Sequence, residues 1–325
     1  MILINYEKVQ DFASRLKNMK ISVSDFADGV CFPRKDANEK DVLNFFFFIV
    51  AIDHRTSRND SFIGEVDGVV YRGSDLLYRL AMNKFIENPS FFEPSRIAKL
   101  TLREAKEIFS VKKPVEKVVE GIELRVFLLR DAATKLMKLY DGGLDSLLRS
   151  TDNYLYKDPD GGFIEKLRIF RAYEDPVEKK PLLLAKFLER RGILRIRDPE
   201  NKHVPVDNHL VRIAIRTGLV KIIDKNLYET FRWKREASWE EDVIIRLVIR
   251  KSYDLVSKEA SIDPFILDDF LWSFGRTVCL PRNPRCELSN KYDPVKCPLA
   301  EICEAYRENE KKTLREHLYF STWYY

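Results

Sequence analysis

The chain has 325 residues, a length at which about two domains are expected. Hydrophobic residues make up 45% of it and charged residues 33%, which excludes a disordered chain, a collagen-like chain and a small disulfide scaffold. The longest apolar run spans only residues 45–52, whereas a membrane-spanning helix needs about 20 residues. Because the first residues also lack the pattern of a signal peptide, we expect a cytoplasmic protein with no membrane segment.

The charge balance is mildly basic. The formal net charge is +5 and the pI is about 8.7, below the value of about 9 that marks strongly nucleic-acid-binding domains. This charge permits an acidic partner without requiring one. Gln10 is the only glutamine, while lysine, arginine and glutamate are abundant. Such a bias is typical of thermophilic proteins, so we expect a thermophilic source.

Apolar residues recur at helical spacing along most of the chain, which predicts an all-α fold. Two capping boxes, Thr101 to Glu104 and Ser238 to Glu241, mark the starts of amphipathic runs. Only residues 64–71 have the composition of β-strands. In chain order, helices are predicted at residues 102–109, 124–140, 163–170, 182–188, 210–215, 243–256 and 265–274. The polar, proline-bearing stretch 195–205 is the most suggestive domain boundary.

The segment around Asp207 predicts a carboxylate fixed at the start of a helix. Pro205 keeps the approach extended, and an apolar helix follows from Leu210 and ends near Gly218. Aspartate is among the best N-cap residues, so helix capping alone can explain this position. The alternative is a catalytic carboxylate that stabilises a developing cation or activates a nucleophile. His209 is predicted to be a structural hydrogen-bonding residue.

Four of the five cysteines lie close together near the end of the sequence, with the spacing C-x6-C-x10-C-x5-C. In a cytosolic chain such a group indicates metal binding more than disulfides, although two disulfides or four unrelated thiols are the alternatives. Zinc sites usually use gaps of about two to four residues, so this spacing favours a [4Fe-4S] cluster over zinc. The candidate ligands are Cys279, Cys286, Cys297 and Cys303.

Two of these elements together resemble the helix–hairpin–helix DNA glycosylases of the endonuclease III type. Residues 205–209 (PVDNH), followed by an apolar helix with Arg212, resemble the V-D-x-H-V element of that family. Residues 269–279 (DFLWSFGRTVC) resemble the helix that leads into the family's iron–sulfur loop, whose spacing is C-x6-C-x2-C-x5-C. This chain keeps the first and last gaps, but its middle gap has ten residues instead of two.

The resemblance implies two helical subdomains of the glycosylase type. One would comprise residues 1–45 and 208–325 with the cysteine loop, and the other, barrel-like, residues 46–207. The resemblance also implies DNA as a partner, a structural [4Fe-4S] cluster and Asp207 as the carboxylate that supports the sugar. The basic residues around the loop would hold DNA phosphates, with a solvated surface loop as the alternative; these residues are Arg276, Arg282 and Arg285. The protein is expected to act as a monomer.

The hairpin of that family normally reads L-P-G-V-G-x-K-T-A, but the matching residues 173–182 (YEDPVEKKPL) contain no glycine. Archaeal glycosylases for oxidised guanine also have a glycine-poor hairpin with a lysine before the next helix. By this resemblance Lys180, or else Lys179, takes the place of the amine nucleophile, at the start of a helix over residues 181–190. A helix N-terminus disfavours a cation, which lowers a lysine pKa as an amine nucleophile requires. The alternative is a solvent-facing lysine in a charged turn.

The front half of the chain is similar in order and character to the queuosine salvage proteins, which are nucleotide N-glycosidases without a four-cysteine tail. The similar stretches are residues 43–54 (LNFFFFIVAIDH), 71–73 with the helix from 74, 100–109 and 140–144. Asp53 and His54 follow the apolar run, and an acid and an imidazole at that position suit a base-binding pocket. Alternatively, they only terminate a core helix.

Both resemblances imply cleavage of the N-glycosidic bond between a base and a sugar. The first implies a base-excision-repair enzyme that releases a damaged or modified base from DNA, with lyase activity if Lys180 attacks C1′. The second implies an N-glycosidase for a free modified nucleotide. The third alternative is a non-catalytic nucleic-acid-binding iron–sulfur protein.

Overall fold

A computed structural model describes residues 1–56, 61–289, 294–320 and 322–325 of the protein. Over this part the chain is predominantly α-helical, which confirms the predicted all-α class. None of the helices described is both long and apolar enough to cross a lipid bilayer. The α-helices are α1 (Tyr6–Lys17), α2 (Glu39–Ala51), α3 (Ser74–Glu87), α4 (Pro94–Ile97), α5 (Leu102–Ile108), α6 (Ile122–Leu139), α7 (Leu144–Arg149), α8 (Phe163–Leu167), α9 (Lys179–Arg190), α10 (Asn208–Thr217), α11 (Lys225–Phe231), α12 (Trp239–Ala260), α13 (Pro264–Thr277), α14 (Glu304–Arg307) and α15 (Asn309–Lys312).

Short strands form two-stranded antiparallel ribbons between the helices. The strands are β1 (Ile2–Ile4), β2 (Ile63–Val66), β3 (Val69–Arg72), β4 (Ser110–Val111), β5 (Lys117–Val118), β6 (Val220–Ile222), β7 (Glu287–Ser289) and β8 (Pro294–Lys296). The pairs are β1 with β6, β2 with β3, β4 with β5, and β7 with β8. The predicted β segment at 64–71 is confirmed as the β2–β3 hairpin. The other ribbons have strands of two or three residues, too short for an alternating pattern to show in the sequence.

The chain divides into two compact units. The first comprises Met1–Val23 and Lys202–Thr322, and the second Ser24–Asn201 and Trp323–Tyr325. The predicted boundary at residue 45 falls inside α2, and the whole of this helix belongs to the second unit. The helix continues through residue 45 because residues 39–51 contain no proline or glycine that would interrupt it. Residues 202–207, which we predicted to lie with the middle segment, belong to the first unit.

In the second unit α2 is the central core element. Every residue of it from Val42 to Ala51 is buried, as expected for a helix that is apolar on all sides. Asn38 caps its start by accepting a hydrogen bond from the backbone N–H of Asp41 at 3.2 Å. The ring of Phe47 stacks on Tyr173, whose hydroxyl donates to the Phe47 carbonyl oxygen at 2.5 Å. The aromatic run of α2 therefore belongs to the core.

In the first unit α1, α10, α12 and α13 surround one apolar core. The predicted capping box of α12 is confirmed, since Ser238 and Glu241 each accept a hydrogen bond from the other's backbone N–H. Helix α13 approaches α10 closely at Gly275, where a Cβ atom would lie only 2.6 Å from the Cβ of His209. A side chain at this position would push α13 away from α10, the helix that begins directly after Asp207.

A buried ionic cluster joins α12 to the segment after α15. The side chains of Asp242, Arg246 and His317 are 0% exposed. The Asp242 carboxylate accepts from an Arg246 N–H at 2.9 Å and from His317 Nε2 at 2.8 Å. Burial opposes ionisation, but the His317 hydrogen bond and the Arg246 charge outweigh it and hold the pKa of Asp242 well below its usual range.

We expect Asp242→Asn to lower the free energy of unfolding by about 3–5 kcal/mol, because it removes the negative charge against which Arg246 is buried. Chemical denaturation measures this loss. As the folded-state pKa is depressed, the stabilisation is complete at neutral pH and disappears as the pH falls below the ordinary aspartate pKa of about 3.9. Glu240 is an exposed carboxylate two residues earlier in the same helix, and Glu240→Gln should change the free energy of unfolding by less than about 0.5 kcal/mol. Equal stabilities for the two variants would contradict this account.

Candidate active site

Asp207 stands at the start of α10 as predicted. Its Oδ1 atom accepts from the backbone N–H groups of His209 at 2.7 Å and Leu210 at 3.1 Å, which is the N-cap arrangement. The helix ends at Gly218, whose φ of +80° gives the left-handed C-cap. These two hydrogen bonds hold the Asp207 carboxylate in place. Because Asp207 is only partly buried, part of the residue is also accessible to solvent.

Arg212 fixes α10 from its buried side. It is 1% exposed and donates to the carbonyl oxygens of Gly275 and Cys279, both at 2.8 Å, and to the Glu316 carboxylate at 2.7 Å. It also donates to His209 Nδ1 at 2.9 Å. Burial lowers the pKa of His209 to about 4, so the ring is a neutral acceptor, consistent with the structural role predicted for it.

None of the five cysteines forms a disulfide bond, so the disulfide alternative is wrong. Cys286, Cys297 and Cys303 each have a raised pKa, first because of burial and further because other cysteines of the loop are close by. Arg216 lies among them, since it donates to the Cys279 sulfur at 3.5 Å and its carbonyl oxygen accepts from the Cys303 thiol at 3.4 Å. Among the residues described, no group of three or more His, Cys, Asp or Glu forms a site that could hold a metal ion. The metal centre therefore stays a prediction.

The three arginines predicted to contact phosphates have different surroundings. Arg276 is partly buried, and its guanidinium lies 4.2 Å from the centre of the Trp272 ring, at a distance typical of a cation–π contact. Arg282 and Arg285 are exposed on the loop that follows α13. Exposed arginines leave several N–H donors accessible to solvent and to anionic groups.

Lys180 lies in the second unit and is completely buried, so the alternative of a solvent-facing lysine is wrong. It is the second residue of α9, which begins at Lys179, two residues before the predicted start. The turn before it is held by Asp175, whose carboxylate accepts from the Lys179 backbone N–H at 3.0 Å. The Lys180 Nζ donates to the Ala51 carbonyl oxygen at 2.6 Å and lies 3.5 Å from His54 Nδ1.

Asp53, which follows α2 by two residues, meets the neighbouring lysine. The Nζ of Lys179 lies 3.3 Å from the Asp53 carboxylate and donates to the Asp53 carbonyl oxygen at 3.1 Å. The hydroxyl of Tyr78, from α3, donates to the same carboxylate at 3.3 Å. The side chains of Lys179 and Asp53 keep 9% and 13% of their surface exposed. The ion pair is therefore closer to solvent than the neighbouring Lys180, which is 0% exposed.

The structure thus brings together residues that two separate resemblances had indicated, Asp53 and His54 on one side and Lys180 with Lys179 on the other. We name this group, with Tyr78, the lysine cluster. Burial, followed by the charges of Lys179 and Arg125, holds the pKa of Lys180 well below that of an ordinary lysine. Burial also lowers the pKa of His54. The lowered pKa favours the uncharged Lys180 amine, which is the nucleophilic form.

Sequence reasoning missed Arg125 and Tyr78. Arg125 is fully buried in α6 and lies beside His54, with its Nη1 atom 3.4 Å from His54 Nδ1. The sequence did hold a signal, because Arg125 interrupts the apolar stripe of the predicted helix at 124–140, next to Val126 and four residues before Leu129. A charged residue in a core-facing position needs a buried partner.

Comparison with known proteins gives a structural likeness but no match in sequence. No protein-family model matches the chain, and no curated protein matches it in sequence. Among solved structures, it is similar to a trapped endonuclease III–DNA covalent intermediate in an estranged-adenine complex. The identity is 12% and the TM-score 0.48, and the match covers 94% of this chain and 96% of that one.

Proposed function

We propose that this protein is an N-glycosylase that releases a damaged or modified base from DNA, with Lys180 as its amine nucleophile and with associated lyase activity. The observation that carries the proposal is the lysine cluster, in which a buried amine lies beside an imidazole and a paired carboxylate. A desolvated lysine next to another cation is a recognised form of activated amine. The sequence resemblance to helix–hairpin–helix glycosylases supplies the substrate class.

In the proposed reaction, Lys180 Nζ forms a bond to C1′ of the sugar while the bond between C1′ and the base breaks. The electron pair of the broken bond leaves with the base, which takes up a proton. The new C–N centre then loses a proton from nitrogen, and the C1′–O4′ bond opens as O4′ gains a proton. The product is an iminium joining Lys180 to C1′, which borohydride reduces to a stable amine and from which strand cleavage can follow.

Asp207 is proposed to stabilise the positive charge that develops on the sugar. Its carboxylate is held by two backbone N–H groups at the start of α10, and this helix is anchored by the buried Arg212. A carboxylate fixed before the reaction needs little reorganisation when the charge appears. Access to a base inside duplex DNA further requires that the nucleotide be flipped out of the stack.

We also propose that Cys279, Cys286, Cys297 and Cys303 hold a [4Fe-4S] cluster. The chemistry of the donor set supports this proposal, because the four cysteines follow one another on one segment and form no disulfide bond, and cysteine thiolates are the usual ligands of such clusters. When bound, the cluster stiffens the loop and takes no part in the reaction, since four protein ligands leave no open position. The exposed Arg282 and Arg285 on this loop, with Arg276, then serve as phosphate contacts.

The cluster proposal predicts that anaerobically purified protein is brown and contains about four irons per chain, with a visible absorption band that reduction bleaches. Cys286→Ser should lose most of this absorption, whereas Cys31→Ser, which changes the cysteine outside the loop, should keep it. Iron and zinc analysis, with the absorption spectrum, measures both. Colourless protein with stoichiometric zinc, or equal spectra for the two variants, would contradict the proposal.

The second candidate function is cleavage of a free modified nucleotide. The specific observation in its favour is that Asp53 and His54, which lie in the stretch similar to nucleotide N-glycosidases, are part of the lysine cluster. The two candidates share the bond that is broken and differ in the size of the substrate. Only a DNA substrate gives the exposed loop arginines a role.

One panel decides between the two functions. Duplex oligonucleotides, each with one damaged or modified base, are incubated with the protein beside free modified nucleotides, and base release is followed by chromatography. We expect release from at least one duplex, at a rate that falls with added salt because phosphate contacts are screened. Release from nucleotides alone would establish the second candidate. No release from either substrate class would overturn both.

A further inference from the structure

The turn that follows α2 is held by Arg125. The guanidinium is fully buried and donates to the carbonyl oxygen of Glu120 at 3.1 Å. Its other N–H groups donate to carbonyl oxygens of the turn, those of Ile52, His54 and Arg55, the last at 2.8 Å. Five guanidinium donors in a fixed plane suit such a set of carbonyl groups. Arg125 therefore fixes the backbone that carries two members of the lysine cluster.

The same guanidinium determines the protonation of His54. His54 Nδ1 lies 3.4 Å from Arg125 Nη1 and 3.5 Å from Lys180 Nζ. A guanidinium can only donate, so this contact favours the tautomer in which Nδ1 accepts and Nε2 carries the ring proton. A second proton on Nδ1 would point at a cation, which disfavours the imidazolium form. One nitrogen of the His54 ring thus lies close both to the Arg125 guanidinium and to the Lys180 amine.

We propose that Arg125 is a positioning residue for Lys180: it holds the turn that carries Asp53 and His54, and its positive charge disfavours protonation of the Lys180 amine. This inference rests on the proposed function, in which that amine is the nucleophile. It assigns a catalytic purpose to a buried arginine of α6 that lies outside every sequence motif considered above.

The charged groups that face the amine support this role. Lys179 and Arg125 are the cations, and Asp53 and Asp175 are the anions. Lys179 is ion-paired with Asp53 at 3.3 Å. The hydrogen-bond partners of Arg125 among the described residues are carbonyl oxygens and an imidazole. Burial lowers the pKa of Arg125 to about 9, so it is still charged at neutral pH and disfavours a second cation.

Tyr78 and Tyr173 complete the surroundings of the turn. Burial raises the pKa of each phenol well above its usual value, and the Asp53 charge adds to this. Both are therefore neutral over the range in which the amine titrates. Tyr173→Phe is a matched control, because Tyr173 is fully buried and donates to the Phe47 carbonyl oxygen, but carries no charge.

The test measures the ionisation of Lys180 directly, without substrate. The full chain is isotope-labelled at lysine, and heteronuclear NMR of the side-chain nitrogens follows each amine as the pH is changed. The Lys180 signal is identified by its loss in Lys180→Gln. We expect its titration midpoint to rise by about one pH unit or more in Arg125→Met. In Arg125→Lys, which keeps a cation, the midpoint should stay within about half a unit of wild type, as it should in Tyr173→Phe.

An unchanged midpoint in Arg125→Met overturns the inference, and so does an equal rise in Arg125→Lys. If Arg125→Met does not fold, Arg125→Lys decides: a low midpoint supports the inference and a rise of more than about one unit overturns it. The pH profile of borohydride trapping should shift in the same direction as the midpoint. If borohydride traps an adduct on Lys180 but the Lys180 titration midpoint is unchanged in Arg125→Met, this inference fails and the proposed function stands. If the midpoint shifts but no substrate gives a trapped adduct, the proposed function fails.

Discussion

Replacing Lys180 with glutamine is expected to lower the rate of base release by at least about 1,000-fold, because the reaction loses its nucleophile. The adduct that borohydride traps should disappear altogether. Glutamine retains an N–H donor, so it can still serve the carbonyl oxygen of Ala51 that Lys180 binds. Single-turnover rates on the duplex identified by the substrate panel measure the effect, and circular dichroism confirms that the fold is kept.

Lys186 provides the matched control for this substitution. It lies on the same helix, is 4% exposed, and its ammonium is 5.4 Å from the centre of the Phe26 ring. Lys186→Gln should therefore disturb packing in α9 to a similar degree while leaving the adduct and the rate at wild-type levels. Adduct formation that survives in Lys180→Gln would show that another residue attacks C1′, and the assignment would be wrong.

The second large effect concerns Asp207. Asparagine is as good an N-cap as aspartate, and its carbonyl oxygen can accept from the same N–H groups of His209 and Leu210. Asp207→Asn should thus leave the thermal midpoint nearly unchanged. It removes the negative charge, however, and we expect base release to fall by about 100- to 10,000-fold. Kinetics and a melting curve on the same preparation separate the two roles.

Another capping aspartate serves as the comparison. Asp224 begins α11 and accepts from the Leu227 backbone N–H at 2.9 Å, in the same unit as Asp207. Asp224→Asn should change neither the rate nor the melting temperature appreciably. If Asp207→Asn released base as fast as the Asp224 variant, Asp207 would be a helix cap and nothing more.

Features set by local chemistry were predictable from the sequence. The capping boxes at Thr101 and Ser238, and the N-cap at Asp207, each depend on residues two or three positions apart. The buried run of α2 was visible for a similar reason, since eight consecutive apolar residues (45–52) need a core. What the run could not show is where the helix begins, because the capping residue Asn38 lies in a polar stretch. For this reason the boundary predicted at residue 45 falls inside α2.

The lysine cluster could not be predicted as a cluster. Lys180 and His54 are 126 positions apart, and they meet only because α9 packs against α2 at the end where α2 stops. Packing between two helices is decided by the whole core and leaves no signature in either segment. For Arg125 the sequence indicates only that a charged residue faces the core. Its partners cannot be read from the sequence, because His54 is 71 positions away and the carbonyl groups that it binds belong to a distant turn.

The most direct test of the central claim is to locate the covalent bond. Wild-type protein is treated with borohydride while it acts on its substrate, and the trapped product is digested and mapped by mass spectrometry. The account predicts one modified peptide, from the start of α9, with the reduced sugar on the Nζ of Lys180. A sugar attached to Lys179 or to any other residue, or base release that leaves no adduct at all, would contradict it.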